Sequence, residues 1–599
     1  MNNPSVFYKM LFTLLLIFVF TLSFQIYAPI NFKFLNSDQG MHALMAANFD
    51  FKHGFYYWGQ NRLGSILPLL ASFLIKINIS PLWAVSLVQY AFLLGLYILL
   101  FKLINNYVLK LSAAVFLFLP IVTHIELLNI GHPYAPQLFL SVLLFYLSKL
   151  ISSHFSLKNI LIISLFWIIS LLDIWVSEIS FIVIFIIVCF TLIFLSNNQK
   201  STKDKILHLI RTPFFLLLPV SLLGIFYIYS KIKIHFKDPI FEAYGINSID
   251  KTYEAFTTHF ERLYHTISFS NNFLNINAFT VLCVLVFIYL VIINIYQHKK
   301  HILNKIISKN YFIFFTISIA TFSAINFTQW AGIENYPHRY YVFSYISFIT
   351  GLLLCVDDLT LNKKNHFILF ITLFTSIIGG LSYIKLDKEQ TRFKIDKEAY
   401  KTLTSLNQST FIGNYWFTYV MGSYNAAKIT SIVPDQSYIR NPHQLDKAFE
   451  NAEVFLIKNN WLKSFPDTIL QYGNMLIKNK FKTDIIIGNA TVHQYINEDL
   501  LIEKDILKEL RDKILENKQQ VDLIHKKAKL NHVTFDDVLE KDLLILLKKE
   551  KKIRTLENSI RRNNNWMLLI LEKAKKRKVS IEEMIRLDAE YMVNQNNNQ

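Results

Sequence analysis

Four short stretches of the chain gather the side chains that can do chemistry. The first reads Asn36-Ser37-Asp38-Gln39-Gly40-Met41-His42-Ala43 and resumes as Gly54-Phe55-Tyr56-Tyr57-Trp58-Gly59-Gln60-Asn61-Arg62-Leu63-Gly64-Ser65. A carboxylate such as Asp38, within hydrogen-bond reach of a hydroxyl, can remove its proton. The plainer expectation is that Ser37 or Asp38 caps a short helix running to Asn48, because Ser, Asp and Asn accept the first free N–H groups of a helix. The second stretch is Tyr336-Pro337-His338-Arg339-Tyr340-Tyr341. Its arginine offers a planar fork of donors suited to an anion, although Tyr and Arg also gather at membrane interfaces as anchors. The third, Asn129-Ile130-Gly131-His132-Pro133-Tyr134, carries a lone loop histidine, a residue more often structural than reactive. In the fourth, Asp173 and Glu178 flank Trp175. Acids at membrane depth are costly and often functional, whereas in a short turn they are simply solvated.

Composition says what must position these groups. The chain has 599 residues, of which 53% are hydrophobic and 17% charged, with a net charge of +18. A soluble globular chain carries roughly 25% charge, so a soluble enzyme is excluded. Disorder is excluded as well by 52 Phe and few Gly and Pro. Cys189, Cys283 and Cys355 each lie in an apolar run, so no disulfide framework is indicated. The averages hide a boundary near residue 384. Before it the chain is a series of apolar runs; from Lys385 it reads as soluble, and 39 of the 99 residues from 501 onward are charged. Because the remaining basic residues sit in short loops, they are read as orientation signals and no nucleic-acid partner is expected.

Eleven runs are long enough to cross the membrane, near 8–28, 82–103, 108–125, 133–151, 158–172, 176–196, 212–230, 276–297, 310–328, 339–357 and 365–384. A crossing needs roughly 20 apolar residues. The first run, Phe7–Ala28, is expected to stay uncleaved as a membrane helix. A twelfth, Gly64–Ile77, is short and precedes Pro81. If it spans, every later loop flips and the most basic ones face outward. If it does not, Lys9, Lys102, Lys110, Lys149, Lys158, Lys200, Arg211, Lys299, Lys300, Lys363 and Lys364 all fall on one side. That side is expected to be the cytoplasm, because Lys and Arg in short loops resist translocation. Gly64–Ile77 is therefore predicted to be a half-buried juxtamembrane helix at the outer face. Asn31–Leu63, Glu126–His132, Asp173–Glu178, Lys231–Asn275, Gln329–His338 and the C-terminal part then lie outside.

An acid just after the first membrane helix, small residues behind it, an aromatic-Gly-Gln stretch, Gly-Ser and an apolar half-helix together resemble the GT-C membrane glycosyltransferases. The protein O-mannosyltransferase and aminoarabinose transferase group (glycosyltransferase family 39-like) is the nearest in pattern. The resemblance is specific over Asp38–Ser65 and architectural over residues 1–384. It implies a mainly α, polytopic membrane helix bundle of about eleven spans with a C-terminal extracytoplasmic α/β domain and a helical tail. It also implies a bacterial inner-membrane enzyme with a cytoplasmic N-terminus, transferring a sugar from a polyprenyl-phosphate donor to a glycan, lipid or protein acceptor, with inversion.

On that resemblance Asp38 is the catalytic base. Arg339, with Tyr340 and His338 beside it, and Arg62 are the candidates to neutralise the departing phosphate, since catalysis needs positive charge where negative charge develops. Gln39, His42, Gln60, His132, Asp173 and Glu178 are further substrate-binding candidates. Position 39 is Gln where some members carry a second acid. A charged metal ligand is then missing, and no cofactor is expected. The loop Lys231–Asn275 corresponds to one that covers the donor site in the family. Two other functions stay open: a polysaccharide polymerase or ligase, whose basic residues would sit in the later loop, and a lipid-linked sugar transporter or flippase, which would need ionisable residues at mid-membrane.

Residues 385–500 are predicted to form a small α/β domain that presents the acceptor or covers the membrane cavity. Ser409–Tyr424 reads as β-rich, Val454–Lys458 and Asp484–Gly488 as strands, and Gly413, Gly422 and Gly473 as turn positions. Residues 501–599 contain a repeat offset by 46 positions: Lys527-Ala528-Lys529 matches Lys573-Ala574-Lys575, Thr534–Leu539 matches Ser580–Ile585, and Asp542 matches Asp588. Each copy is expected to be two short helices, the second opening on a capping box, weaker at Thr534 because position 537 is Asp. A protein-contact role is expected for these repeats.

Overall fold

The computed structural model describes residues 6–31, 35–60, 62–119, 125–128, 130–196, 202–235, 245–267, 310–333, 336–358, 393–451, 453–531, 533–562 and 564–596, with a few isolated positions between 285 and 292. The expected span near 365–384 lies outside these residues, as does that near 276–297 apart from those isolated positions. The chain forms two compact units. One comprises 1–448, 455–465 and 480–494, the other 449–454, 466–479 and 495–599.

The helices of the first unit, in order, are α1 (Val6–Tyr27), α2 (Ser37–Ala47), α3 (Phe51–Gly54), α4 (Ile66–Ile75), α5 (Pro81–Leu103), α6 (Tyr107–Phe118), α7 (Tyr134–Ser148), α8 (Leu157–Val176), α9 (Ser180–Ser196), α10 (Thr202–Ile210), α11 (Pro213–His235), α12 (Ile249–Ile267), α13 (Asn310–Phe327), α14 (Gln329–Ile333) and α15 (Val342–Asp357). Among the described residues, six stretches are long and apolar enough to cross a membrane, within α1, α5, α8, α11, α13 and Arg339–Asp357. The protein is therefore a multi-pass membrane protein. α6, α7 and α9 are shorter apolar helices at the places expected for spans. At ten residues α4 is about 15 Å long, half the hydrocarbon thickness. Pro81 opens α5 at its first turn, where a missing N–H costs nothing.

Two buried polar contacts inside the bundle show the pairing that burial in apolar surroundings favours. Ser23 and Tyr90 share a hydrogen bond of 2.9 Å, and Gln89 Nε2 donates to the Leu127 carbonyl at 2.7 Å. At the far end of α15, Asp357 accepts from the backbone N–H of Asn105 and Asn106, pinning the α5–α6 turn.

The same unit contains α16 (Lys397–Ser405), β1 (Ser409–Ile412), α17 (Tyr415–Ser423), β2 (Ile429–Ile432), β6 (Ile485–Ile487) and most of α18 (Leu445–Glu450), β3 (Glu453–Lys458) and β7 (Ala490–Asn497). β1 and β2 are parallel, and β6 and β7 antiparallel. One continuous apolar core joins Leu35, Ala43, Ile66 and Leu67 of the early loop to Phe411, Phe417, Val420 and Phe455 of this α/β layer. The layer is thus packed with the membrane part, and the unit does not break at residue 384. The β-rich expectation for Ser409–Tyr424 holds only to Ile412. Asn414 Oδ1 accepts from Phe417 N–H at 3.1 Å and starts a helix, which outweighs the β preference of the aromatics. Gly422 accordingly lies inside α17, against Ser431, and not in a turn.

The second unit holds the hairpin of β4 (Thr468–Gln471) and β5 (Asn474–Lys478). It turns on Tyr472 and Gly473 at φ of 49° and 81°, the positive values a two-residue hairpin requires. α19 (Glu498–Glu516), α20 (Lys518–Asn531), α21 (Phe535–Arg562), α22 (Asn564–Arg577) and α23 (Ile581–Asn596) follow. The repeat is reproduced in three dimensions: Lys527 pairs with Asp542 at 2.7 Å, and Lys573 with Asp588 at 2.5 Å. Two details differ from expectation. The second helix of the first copy, α21, has 28 residues and is long. The Thr534 box is reciprocal, with Asp537 accepting from Thr534 N–H at 3.1 Å and Asp537 N–H donating to Thr534 Oγ1 at 3.1 Å, so the shorter acid closes it.

Candidate active site

The helix that carries Asp38 is capped by neither Ser37 nor Asp38. Asn36 Oδ1 accepts from Gln39 N–H at 2.9 Å, and Gln39 Oε1 accepts from Asn36 N–H at 2.8 Å. This reciprocal capping box uses the Gln39 side chain and leaves Asp38 in the first turn of α2 with its carboxylate uncommitted to the cap. Gln39 is buried, and its carbonyl oxygen is occupied by the cap.

Asp38 Oδ1 accepts hydrogen bonds from two phenols, Tyr415 and Tyr57, the latter at 3.4 Å. Burial, then the neighbouring charges, push both phenols well above their ordinary pKa. Both stay protonated and act as donors. Among the described residues, no hydrogen bond reaches Asp38 Oδ2. Gly131 passes beside the carboxylate, where an added Cβ would come within 3.2 Å of the Asp38 Cβ. This brings His132 into the site, and Asp38, Arg339 and Arg62 all act electrostatically on its ring. His42 stands one helical turn after Asp38 and is only 4% exposed. Neither of its ring nitrogens has a hydrogen-bond partner among the described residues.

Arg62 is placed by a close crossing. A Cβ on Gly64 would lie 2.5 Å from the Trp175 carbonyl oxygen, so only glycine lets this strand of loop pass the end of α8. Trp175 Nε1 donates to the Phe55 carbonyl at 3.2 Å, and Arg62 Nε donates to Gln60 Oε1 at 3.3 Å. A cavity of about 180 Å³ opens there, lined by Arg62, His132, Tyr134, Gln137, Glu178 and Tyr340 among others. Glu178 accepts from Tyr229 OH at 2.5 Å. Tyr134 OH donates to the Arg339 carbonyl at 2.5 Å, and the Arg339 guanidinium lies 5.1 Å from the Tyr340 ring. The turn that presents Arg339 is held by Tyr336, whose φ of 47° is costly for a non-glycine. Asn247 Nδ2 donates to the Tyr336 hydroxyl at 2.9 Å. The expected loop 231–275 contains α12, whose His259 is buried against Phe322, Tyr341 and Tyr345 and so belongs to packing.

The structure thus brings Asp38, His42, Gln60, Arg62, His132, Glu178, Arg339 and Tyr340 into one neighbourhood. Asp173 is not in the turn and is not solvated. It lies within α8, fully buried, accepting from Ser141 Oγ at 2.8 Å. His338 lies in a short 3-10 turn, and its side chain is outside the described residues. Tyr57, Tyr415 and Arg440 were not singled out by the sequence. For Tyr415 the Asn414 cap was the signal available, but nothing local points from it to Asp38.

Burial above all holds three histidines below the usual 6.5: His42 to about 3, with His132 adding to the effect, and His443 to about 4, with His53 adding to it. For His132, also lowered to about 4, burial leads and the Arg339 and Arg62 charges work against the raising influence of Asp38. The unfolded chain takes up these protons near pH 6.5, before the folded chain does. This contribution to stability is therefore full above about 6.5 and is lost as the pH falls toward about 4 and below. The melting temperature in detergent should drop over that interval, and His42→Leu should flatten the drop. An equally steep drop in the variant excludes His42 as a source.

No protein-family model matches this chain, and no curated protein matches it. Among solved structures it is similar to the Archaeoglobus fulgidus oligosaccharyltransferase in complex with Zn and sulfate, at 14% identity and a TM-score of 0.37 over 69% of this chain. The chain spans 62% of that protein's length. It is similar also to ArnT from Cupriavidus metallidurans in the apo state, at 9% identity and a TM-score of 0.38 over 81% of this chain and 97% of the other. ArnT bound to undecaprenyl phosphate gives 10% identity and a TM-score of 0.36 over 82% and 98%.

Proposed function

We propose that this protein is a membrane glycosyltransferase that moves a sugar from a polyprenyl-phosphate donor to an acceptor hydroxyl at the outer face of a bacterial inner membrane. The observation that carries the reading is a carboxylate with one oxygen held by two phenols and the other unbonded among the described residues, near His132, which lines a cavity with Arg62 and feels the charge of Arg339.

The acceptor O–H gives its proton to Asp38 Oδ2 while its oxygen forms a bond to the anomeric carbon. The bond from that carbon to the phosphate oxygen breaks, and its electron pair leaves with the lipid phosphate. A single displacement inverts the anomeric centre. Arg62 and Arg339 supply positive charge where the phosphate charge grows. His132, neutral at physiological pH, offers a hydrogen bond there without adding charge. Glu178 and Gln137 line the same cavity and suit sugar hydroxyls. The acceptor is a lipid, a glycan or a protein.

The test is transfer of labelled sugar from purified polyprenyl-phosphate donors to envelope acceptors by the purified protein in nanodiscs. Arg339→Ala is expected to slow transfer about 10²-fold or more, as loss of a charge-stabilising donor does, and to weaken binding of the bare polyprenyl phosphate. Movement of intact donor across the bilayer with no sugar transferred would instead assign the flippase function.

A further inference from the structure

A carboxylate in the first turn of a loop helix rotates freely unless a neighbour holds it. A base that must meet a hydroxyl at hydrogen-bond distance does not tolerate this, since misplacement by about 1 Å can cost 10²-fold in rate. Asp38 is therefore expected to have something that stops the rotation. The early loop supplies one restraint, Tyr57. The second comes from α17, in the C-terminal α/β layer, where Tyr415 OH donates to the same Oδ1.

The contact is built along the whole loop. Ser37 Oγ donates to the Tyr415 carbonyl at 2.5 Å, tying the residue before Asp38 to the main chain of Tyr415. Gly40 lets α2 touch α17, because a Cβ there would lie 2.7 Å from the Tyr419 carbonyl oxygen. Lys447 Nζ donates to Asn48 Oδ1 at 2.8 Å. His443 stacks on His53 with ring centres 4.6 Å apart. At the loop's tip Gly59, at φ of 71°, is clasped by Tyr438 OH and Arg440 Nη1, each donating to its carbonyl at 3.3 Å. Arg440 also brings positive charge toward Asp38, Tyr57 and Tyr415.

We propose that Tyr415 is a positioning residue for Asp38, and that the α/β layer is a working part of the catalytic centre because it clamps the loop that carries the base. The inference rests on the proposed transfer reaction. Tyr415 fixes Oδ1 and so aims the free Oδ2 at the acceptor; it takes no proton itself.

The test compares full-length Tyr415→Phe with wild type in nanodiscs, with Asp38→Asn and Tyr400→Phe alongside. Tyr400 is 45% exposed in the same layer and should be neutral when it loses its hydroxyl. Tyr415→Phe should lower kcat by about 10- to 100-fold with donor KM, polyprenyl-phosphate affinity and melting temperature unchanged. A wild-type kcat overturns the inference. So does a loss of rate that is matched by lost donor affinity or a lower melting temperature, because the role is then structural. If Asp38→Asn still transfers sugar, the proposed reaction itself fails. If Asp38→Asn is inactive while Tyr415→Phe is fully active, only the positioning role fails.

Discussion

Asp38→Asn is expected to reduce sugar transfer by about 10²- to 10⁴-fold, the usual contribution of a positioned general base, with no loss of melting temperature. The substitution keeps the shape of the side chain. The amide oxygen can still accept from Tyr57 and Tyr415, which now hold Oδ1, and the Asn36–Gln39 cap does not involve position 38. What changes is Oδ2, which becomes an NH₂ that donates and cannot take a proton. Binding of polyprenyl phosphate should persist because Arg62 and Arg339 are untouched. Initial rates with labelled donor, set beside thermal unfolding in the same detergent, make the comparison. Full transfer by a folded Asp38→Asn protein removes this residue from the chemistry.

Gly40→Val is expected to damage both stability and activity. The first Cβ would sit 2.7 Å from the carbonyl oxygen of Tyr419 and 3.1 Å from its carbonyl carbon. Both partners are main chain, so relief requires α2 and α17 to separate. Neither helix has room to yield, since Met41, Leu44 and Met45 of α2 and Tyr419 of α17 share one buried cluster with Tyr57 and Trp58. Overpacking of this kind costs about 1–3 kcal/mol. The displaced surface is the one that joins Asp38 to Tyr415, one turn before Tyr419, so transfer should fall further than the lost stability accounts for. Gly40→Ala should give a smaller loss in the same direction. A Val variant with the melting temperature and rate of wild type would rule out the close crossing.

The sites of these substitutions were unequally visible beforehand. Asp38 was legible, because an acid following the first apolar run and preceding a short half-helix is a local pattern. So were α4, too short to cross, and the 46-residue repeat, whose Lys527–Asp542 and Lys573–Asp588 pairs recur in space. Arg62, His132, Glu178 and Tyr340 could be singled out by type, yet nothing in their spacing said that they line one cavity. The apolar runs near 158–172 and 176–196 place Asp173 in the turn between them. The helix runs on to Val176, and the acid is buried with Ser141.

Hydropathy, capping and repeat offset are properties of windows a few tens of residues long, so the amino-acid order alone marked the apolar helices α1, α5, α8, α11 and α13 and the recurring tail helices. One of the two phenols on Asp38, Tyr415, lies 377 positions away. Its meeting with Asp38 depends on an apolar core shared by α2, α4 and the α/β layer, and on one missing Cβ at Gly40 that lets two helix backbones touch. Contact of that kind exists only once burial has brought the surfaces together, and it sets Tyr415 of the α/β layer against Asp38.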